Sequence, residues 1–260
     1  MINFNLSNRV AIVTGGAQGF GLAISERFIQ SGAKVIIWDI DKEAVETAIK
    51  KINSKNCIYQ IVDVTNFEEI KKNLNDIENN HGKIDIFINN AGIGRGVGGL
   101  LNSSPNDIEI SSRINVEAHL HVIKAIVPGM VKRRRGHVIL MGSLAGLYPV
   151  DSAIYGGQKG AVHRIAQSLR VELSGTRVKV TEICPGRTKT NFGNAAFDDK
   201  NKAKKFMSGF TLLEARDITD AILFALSTRW RSNISTIEIS GTEQSPGGVP
   251  IYPVKDPILS

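Results

Sequence analysis

Apolar runs of four to six residues alternate along this chain with longer segments in which apolar residues recur every three or four positions. The short runs suit strands that are buried on both faces, and the longer segments suit helices with one apolar side. The predicted strands are 10–13, 34–38, 58–62, 84–88, 137–141, 178–183 and 236–239. Such alternation is typical of an α/β fold. We therefore predict a Rossmann-type, three-layer, doubly wound parallel sheet of about seven strands, in a single domain over residues 1–260.

Polar residues and glycines collect directly after the predicted strands. The carboxyl ends of parallel strands meet at one edge of a sheet, and open α/β sheets bind their ligands outside that edge. We therefore expect one ligand site that includes residues 15–21, Asp39, Asp63, residues 89–92, Ser143 and residues 185–186.

Gly15, Gly19 and Gly21 open the first predicted helix, directly after the first strand. A tight backbone turn and free amides at a helix start suit the pyrophosphate of a dinucleotide. The spacing Gly-x-x-x-Gly-x-Gly departs from the general dinucleotide fingerprint. A glycine-rich turn that serves only the fold is therefore the alternative interpretation.

Asp39 ends the second predicted strand, about twenty residues after the glycines. A carboxylate at this point accepts hydrogen bonds from the adenosine ribose and repels the 2′-phosphate of NADP. Neither Gln18 nor Ile40 is basic, and Lys42 is the cation that the following loop could bring near. The pattern favours NAD as the cofactor, and a simple strand-end turn residue is the alternative.

Tyr155 and Lys159 stand four residues apart at the start of a predicted helix, so they share one helical face. A free tyrosine has a pKa of about 10 and is a poor base at neutral pH. A lysine ammonium held nearby favours the phenolate and lowers the pKa of the phenol. The spacing predicts an acid/base pair, although a surface pair without chemistry has the same spacing.

The combined motifs resemble those of the short-chain dehydrogenase/reductase family. Within it, they resemble an NAD-preferring member of the Tyr-x-x-x-Lys group. The similarity spans about residues 5–242. It rests on Thr14-Gly15-x-x-x-Gly19-x-Gly21, Asn89-Asn90-Ala91-Gly92, Asn115, Ser143, Tyr155-x-x-x-Lys159 and Pro185-Gly186, which follow the family order and spacing. The resemblance implies hydride transfer to or from a nicotinamide, for which the protein positions the substrate and handles protons.

The resemblance also implies a role for each residue of the site. Tyr155 would exchange a proton with the substrate oxygen, which Ser143 would also bind. Lys159 would hold the nicotinamide ribose and lower the pKa of the tyrosine, and Asn115 would hold a water of a proton relay. Taken singly, each has a structural explanation, such as a strand-end cap for Ser143. The implied cofactor contacts are Thr14, Gly15, Gln18, Gly19, Phe20, Gly21, Asp39, Ile40, Asp63, Val64, Asn90, Ala91, Gly92, Tyr155, Lys159, Pro185, Gly186, Thr188 and Thr190.

The substrate is expected between residues 94–99, residues 144–149, Arg187 and the insert after Thr190. Arg187 and, less directly, Arg95 would pair with an anionic substrate group such as a carboxylate. The alternative for Arg187 is a position in solvent or an ion pair with Asp198, Asp199 or Glu214. Residues 189–210 carry spaced aromatics among lysines and predict either a substrate lid or an unstructured loop, and residues 241–260 form a tail.

Composition excludes several other classes of protein. The formal net charge is +7, but the basic residues are scattered and the run at 132–135 lies where a helix is predicted to end, so nucleic-acid binding is not expected. No apolar run approaches the roughly 20 residues of a membrane span. The two cysteines and the absence of a signal-peptide pattern predict a cytoplasmic protein, and the five histidines lack metal-ligand spacing.

We predict an NAD-dependent oxidoreductase that interconverts an alcohol and a carbonyl compound, with Tyr155 as the general acid and base. The expected substrate is a small hydroxy acid or another anionic secondary alcohol. The alternative is a catalytically idle dinucleotide-binding sensor or scaffold on the same fold. The resemblance further implies a homotetramer or homodimer that pairs through the helices near residues 105–133 and 152–174. Val162, Ile165 and Leu169 fit such a face and fit an internal core equally well.

Overall fold

A computed structural model describes residues 4–190, 201, 204 and 207–244 of the protein. Its seven parallel strands form one sheet in the order β3-β2-β1-β4-β5-β6-β7. The strands are β1 Val10–Thr14, β2 Lys34–Asp39, β3 Cys57–Ile61, β4 Ile86–Asn89, β5 Gly136–Met141, β6 Val178–Pro185 and β7 Thr236–Ile239. The strand order reverses between β1 and β4, and this is the point at which doubly wound sheets bind ligands. The predicted fold class is confirmed.

Helices connect the strands, and side-chain caps start several of them. The helices are α1 Gly19–Gln30, α2 Lys42–Ile52, α3 Phe67–Asn80, α4 Pro105–Ser112, α5 Ala118–Arg133, α6 Leu144–Leu147, α7 Ala153–Glu172 and α8 Ala215–Ser227, with a 3₁₀ turn at Leu100–Asn102. Asp41 and Asn66 accept backbone N–H groups at the starts of α2 and α3, and Ser104 forms a capping box with Asp107 at α4. Predicted boundaries lie within a few residues of these.

The two faces of the sheet carry separate apolar cores. Alternate residues of each strand point to opposite faces, so Ile12 and Ile36 pack toward α3, α5 and α7, whereas Val13 and Ile37 pack toward α1 and α8. All four side chains are buried. Because helices cover both faces, the strands contain unbroken apolar runs instead of an alternating pattern.

Asn115 lies in a π-helical turn, Arg113–Glu117, that joins α4 to α5. The sequence predicted only a helix starting near Pro105, because an extra residue in one turn leaves no mark in apolar periodicity. Such turns are frequent at functional sites. Asn115 itself is fully buried.

Val162 and Leu169 of α7 are buried in the core that faces α5, and Ile165 packs against them. The internal alternative therefore accounts for these three residues. None of the described helices is both long enough and apolar enough to span a membrane. Most of the predicted lid and of the tail lies outside the described residues.

Candidate active site

Two adjoining cavities open at the carboxyl edge of the sheet. One, of about 420 Å³, runs past the glycine turn and the ends of β2 and β3. The other, of about 400 Å³, lies between Ser143, the start of α7 and the end of β6. Phe20, Gly142, Tyr155 and Thr190 line both cavities. We call the first the cofactor cavity and the second the substrate cavity.

The glycine turn after β1 has a geometry that only small residues allow. Gly15 and Gly19 have φ angles of +60° and +53°, in the left-handed region that favours glycine. A Cβ on Gly21 would lie 2.0 Å from the carbonyl oxygen of Gly15. No side chain caps α1, and its first turn has no acidic residue. The free amides at this helix start therefore fit an anion such as a pyrophosphate.

Asp39, at the end of β2, lies in the cofactor cavity beside the glycine turn. Its carboxylate accepts the backbone N–H groups of Ala17 and Asp41, both at 3.1 Å. Asp41 adds a second carboxylate, to which Gln18 donates at 3.2 Å. Lys42, the cation that would weaken a preference for NAD, lies 3.8 Å from Glu46 instead, with an exposed side chain. This end of the cavity is therefore acidic.

Thr14 and the residues after β4 bind each other across the centre of the sheet. The Thr14 hydroxyl accepts the N–H groups of Asn90 and Ala91 at 2.9 and 3.1 Å, and the Asn90 amide donates to the Thr14 carbonyl at 2.9 Å. Asn89 donates to the His119 carbonyl at 3.1 Å. Thr14 is fully buried and does not line the cavity, so it supports the cavity wall that Asn90, Ala91 and Gly92 form.

Tyr155 lies in the first turn of α7, where Ser152 caps the helix by accepting the Tyr155 N–H at 3.1 Å. Burial raises the pKa of Tyr155 to about 12, and a hydrogen bond with Ser143 acts in the opposite direction. The Lys159 ammonium is 5.9 Å from the centroid of the tyrosine ring. The sequence predicted that Lys159 would lower the pKa of the phenol. In the structure desolvation is the larger effect, and Ser143 is the group that opposes it.

Lys159 is buried one turn further along α7, and its ammonium donates to the Met141 carbonyl at 2.8 Å. Burial lowers the pKa of Lys159 to about 8, and its interactions with Cys184 and Glu182 act against that shift. Below this pH the lysine is an ammonium at the floor of the cofactor cavity, beside the tyrosine that both cavities share. A phenol, a hydroxyl and an ammonium thus surround the junction of the cavities, and they can manage a proton on one substrate oxygen.

Asn115 is held behind this junction by three hydrogen bonds. Its oxygen accepts the N–H of Ile93 at 2.8 Å, and its amide donates to the Ile93 carbonyl at 2.9 Å and to Gln158 Oε1 at 2.8 Å. Gln158 also donates to Ser111 at 2.8 Å and to Ser112 at 3.1 Å. Gln158 therefore ties α7 to the π turn. The sequence did not single out Gln158, because this contact joins residues 43 positions apart.

Arg187 lines the substrate cavity together with Ser143 and Tyr155. Its guanidinium stacks on the Phe210 ring at 5.6 Å, and Asp151 of the same cavity is the carboxylate whose charge opposes the burial-induced lowering of the arginine pKa. Glu214, one alternative partner, instead caps α8 with Asp217, and Asp198 and Asp199 lie outside the described residues. The substrate-facing role of Arg187 therefore stays a prediction beside the alternative of an ion pair with Asp198 or Asp199.

Arg95 is not among the residues that line the substrate cavity. Its guanidinium is 3.0 Å from the Asp107 carboxylate at the start of α4, and half of its side-chain surface is exposed. Asp107 in turn belongs to the capping box of that helix, so the ion pair has a structural role. Tyr148, within the predicted substrate wall, also turns away and donates to Glu238 at 3.0 Å.

Most of the other predicted residues line one of the two cavities. In the cofactor cavity these are Gly15, Gln18, Gly19, Phe20, Asp39, Ile40, Asp63, Val64, Asn90, Ala91, Gly92, Tyr155, Lys159 and Thr190. Pro185, Gly186, Thr188 and Thr190 lie on the substrate side. Thr14, Gly21 and Asn115 stand behind the walls. The sequence did not identify Asp41, Asp151 or Gln244 as lining residues. Asp41 could have been identified from the sequence, because polar residues follow each predicted strand. Gln244 could not be identified in this way, because it reaches the cavity from the segment after the last strand.

Within the described residues, no three His, Cys, Asp or Glu side chains come together in a way that would hold a metal ion. The described side chains at the junction of the two cavities offer a phenol, a hydroxyl and an ammonium. The glycine turn, the uncapped start of α1 and the acidic end of β2 fit a dinucleotide. Its nicotinamide end would lie toward Tyr155 and Lys159.

The sequence matches the short chain dehydrogenase family over residues 9–201. The NADP-dependent 3-hydroxy acid dehydrogenase YdfG of Salmonella typhi is 33% identical over 246 residues, which make up 94% of this chain and 99% of that protein. The closed form of a serine dehydrogenase complexed with NADP+ is 33% identical with a TM-score of 0.88, covering 94% and 99% of the two chains. A metagenomic short-chain oxidoreductase in complex with NADP is 27% identical with a TM-score of 0.76, covering 92% and 99%. The chain therefore belongs to the short-chain dehydrogenase family.

Proposed function

We propose that the protein is an NAD-dependent dehydrogenase that interconverts a small hydroxy acid, or another anionic secondary alcohol, and the corresponding carbonyl compound. The observation that carries this proposal is Tyr155, which is shared by the two cavities, with Lys159 on the cofactor side and Arg187 on the substrate side. One phenol thus adjoins both the nucleotide and the substrate. The relatives named above as 3-hydroxy acid and serine dehydrogenases support the substrate class.

In alcohol oxidation, Tyr155 takes the hydroxyl proton of the substrate while Ser143 donates a hydrogen bond to the same oxygen. A bound nicotinamide cofactor supplies the hydride acceptor. Lys159 places a positive charge near the phenol, and Asn115, held by Gln158 and Ile93, keeps the α4–α5 junction in place behind the lysine. In carbonyl reduction the same groups return the proton to the oxygen.

A catalytically idle sensor or scaffold is the competing function. Such a protein needs the cofactor cavity but has no use for a buried Tyr155 and Lys159 next to a second cavity. Burying an ionisable lysine costs free energy that a binding protein would avoid. The buried pair therefore favours the enzyme.

Arg187 is proposed to bind the anionic group of the substrate. The Arg187→Met variant keeps an unbranched apolar stem but removes the charged guanidinium that lies over Phe210. We expect kcat/KM for a 3-hydroxy acid to fall about 100-fold, since one partner of a charge-assisted pair is lost. The rate with an uncharged secondary alcohol should change little. Steady-state kinetics with both substrates measures the difference.

Arg95→Met is the matched control for this experiment, because Arg95 pairs with Asp107 outside the cavity lining. It should leave the preference for the acid over the alcohol unchanged. An equal loss on both substrates in Arg187→Met would assign that arginine to the fold. A loss of preference in Arg95→Met would restore Arg95 as the anion-binding residue.

The preference for NAD is proposed from residues of this chain, although the relatives named above use NADP. Among the described residues that line the cofactor cavity, Asp39, Asp41 and Asp63 are acidic and Lys159 is the one cation. Asp39 is the last residue of β2 and lies beside the glycine turn. The adenosine ribose binds at this position in dinucleotide folds. A 2′-phosphate there would face a carboxylate with no compensating charge from Lys42, which is directed toward Glu46.

Wild-type protein is expected to bind NAD at least about tenfold more tightly than NADP, as the repulsion between a carboxylate and a phosphate predicts. Asp39→Asn removes the charge with little change of shape, so NADP should then bind more tightly than before. Titration of intrinsic fluorescence with each nucleotide measures both affinities. Lys42→Ala serves as the control and should leave the ratio unchanged. Tighter binding of NADP by the wild type would overturn the assignment.

A cytoplasmic location stays a prediction from the two cysteines and the absence of a signal-peptide pattern, and assembly as a homotetramer or homodimer stays a prediction from the family resemblance. Exposed apolar side chains on the helices concerned support the assembly. Ile108 of α4, Leu120 of α5 and Val171 of α7 are 38%, 45% and 75% exposed in the single chain. These residues, and not Val162 or Leu169, are the ones available for pairing.

A further inference from the structure

A buried acidic group lies directly behind Lys159, and the chemistry proposed above does not use it. Glu182 of β6 is fully buried, and its side chain packs against Gly142, where a Cβ would lie 2.4 Å from Glu182 Oε1. The preceding residue, Met141, accepts the Lys159 ammonium through its carbonyl. The carboxylate and the ammonium thus adjoin the same stretch of backbone at the end of β5.

His163 holds this carboxylate from α7, one helical turn beyond Lys159. Its Nδ1 is 2.6 Å from Glu182 Oε2, and its Nε2 is 2.9 Å from the side-chain nitrogen of Gln167. An amide nitrogen can only donate, so His163 Nε2 accepts and the ring proton is on Nδ1. His163 Nδ1 thus donates to Glu182 Oε2 and orients the carboxylate.

Glu182 Oε1 is buried and accepts no N–H or O–H group of the described residues, and the Cys184 thiol is a weak donor to the Glu182 carboxylate. A buried, ionised oxygen of this kind requires a positive charge nearby. Cys184 also lies close, but burial raises the pKa of its thiol and the charge of Glu182 raises it further, so the thiol stays neutral. Of the two cations on which the charge of Glu182 acts, Lys159 is buried and Arg170 of α7 is only partly buried.

We propose that Glu182, oriented by His163, is a positioning residue whose negative charge keeps Lys159 protonated in the protein interior. This inference rests on the proposed role of Lys159 beside Tyr155. Burial favours the neutral lysine, which would no longer support the phenolate, and the carboxylate opposes this loss. The ammonium that Glu182 would maintain lies 5.9 Å from the centroid of the Tyr155 ring, so the carboxylate would act on the tyrosine through the lysine.

Other charged or titratable groups also lie around Glu182. On α7, the charge of Glu182 acts on Arg170, whose side chain donates to the Ser235 carbonyl at 2.8 Å. On the neighbouring strand β7, the Glu238 carboxylate accepts from Tyr148 at the surface. Lys159, His163, Cys184 and Arg170 are thus the ionisable groups that interact with Glu182.

The test is the isosteric variant Glu182→Gln, which keeps an acceptor for His163 and removes the charge. With Lys159 less protonated, the pKa of Tyr155 in the working enzyme should rise. The acidic limb of the pH profile of kcat/KM for alcohol oxidation should then move up by about one unit, equivalent to a roughly tenfold loss below the limb. Glu182→Asp, which retains the charge, should largely restore the profile. Glu238→Gln on β7 is the control and should leave it in place.

A double-mutant cycle separates this role from a structural one. In a Lys159→Met background Glu182→Gln should cause no further loss, since the group it acts through is gone. The inference is overturned if folded Glu182→Gln keeps the acidic limb of the pH profile where it is in the wild type. It is also overturned if Glu182→Gln lowers the rate as much in the Lys159→Met background as it does alone. If Glu182→Gln does not fold, His163→Leu takes its place as the test. The acidic limb should move in the same direction in this variant, and an unmoved limb in His163→Leu also overturns the inference. The proposed function fails separately, when Tyr155→Phe retains full turnover.

Discussion

Replacement of Tyr155 by phenylalanine is expected to lower kcat for alcohol oxidation by about 100- to 10,000-fold, the usual contribution of a positioned general base. The ring that lines both cavities remains in this variant, and only the oxygen that accepts the proton is lost. In the wild type, the rate should rise with pH as the phenol ionises. The residual rate of Tyr155→Phe should lack this rise. Nicotinamide absorbance recorded across a pH series measures both effects.

Tyr148→Phe is the matched control, because this second phenol donates to Glu238 and does not line either of the two cavities. It should leave both kcat and the pH profile as they are. Titration with NAD should give similar affinities for wild type and Tyr155→Phe, which shows that the cofactor cavity is intact. Full turnover by Tyr155→Phe would remove the acid/base role and would favour the sensor or scaffold.

Replacement of Lys159 by methionine is expected to lower kcat by roughly 100-fold and to weaken cofactor binding. The methionine fills the buried space of the lysine stem, but the ammonium that lies 5.9 Å from the Tyr155 ring is gone. The phenol then has no ammonium beside it, while burial still raises its pKa. The acidic limb of the pH profile should move upward by about one to three units. Steady-state kinetics as a function of pH and of NAD concentration measures the two effects.

A second lysine offers the control for this variant. Lys179 of β6 is also partly buried, burial lowers its pKa, and it donates to the Thr228 hydroxyl at 2.7 Å at the opposite end of the strand from the cavities. Lys179→Met should change stability more than catalysis. If Lys159→Met keeps the wild-type pH profile, the lysine supports only cofactor binding and not the proton transfer.

The expected effects at Tyr155 and Lys159 depend on burial, which the sequence does not show. From sequence, Lys159 alone was expected to move the pKa of the tyrosine toward the working range. In the structure, burial raises the pKa of Tyr155, and the hydrogen bond with Ser143 opposes this shift. Burial also lowers the pKa of Lys159, and Glu182 is among the groups that oppose that shift. Desolvation depends on what covers a side chain, and a single sequence does not reveal that cover.

The choice between the two arginines shows the same limit. Arg187 and Arg95 both stand in predicted loops at the carboxyl edge, and their sequence positions do not distinguish them. Folding places Arg187 in the substrate cavity against Phe210, 23 positions further along the chain, whereas Arg95 finds Asp107. An ion pair forms with whichever partner the fold brings within a few ångströms, so the contact is a property of the three-dimensional arrangement.

The sequence by itself determined the sheet, its strand boundaries to within a few residues, and the residues at its carboxyl edge. These features follow from local rules, because apolar periodicity sets the elements and strand ends in a parallel sheet share one edge. Only the tertiary structure decided the π turn at Asn115, the Gln158 contact and the His163–Glu182 pair behind Lys159. Each depends on burial and on distances between residues remote in sequence. The chain therefore specifies where the chemistry takes place, and packing sets the protonation of the groups that perform it.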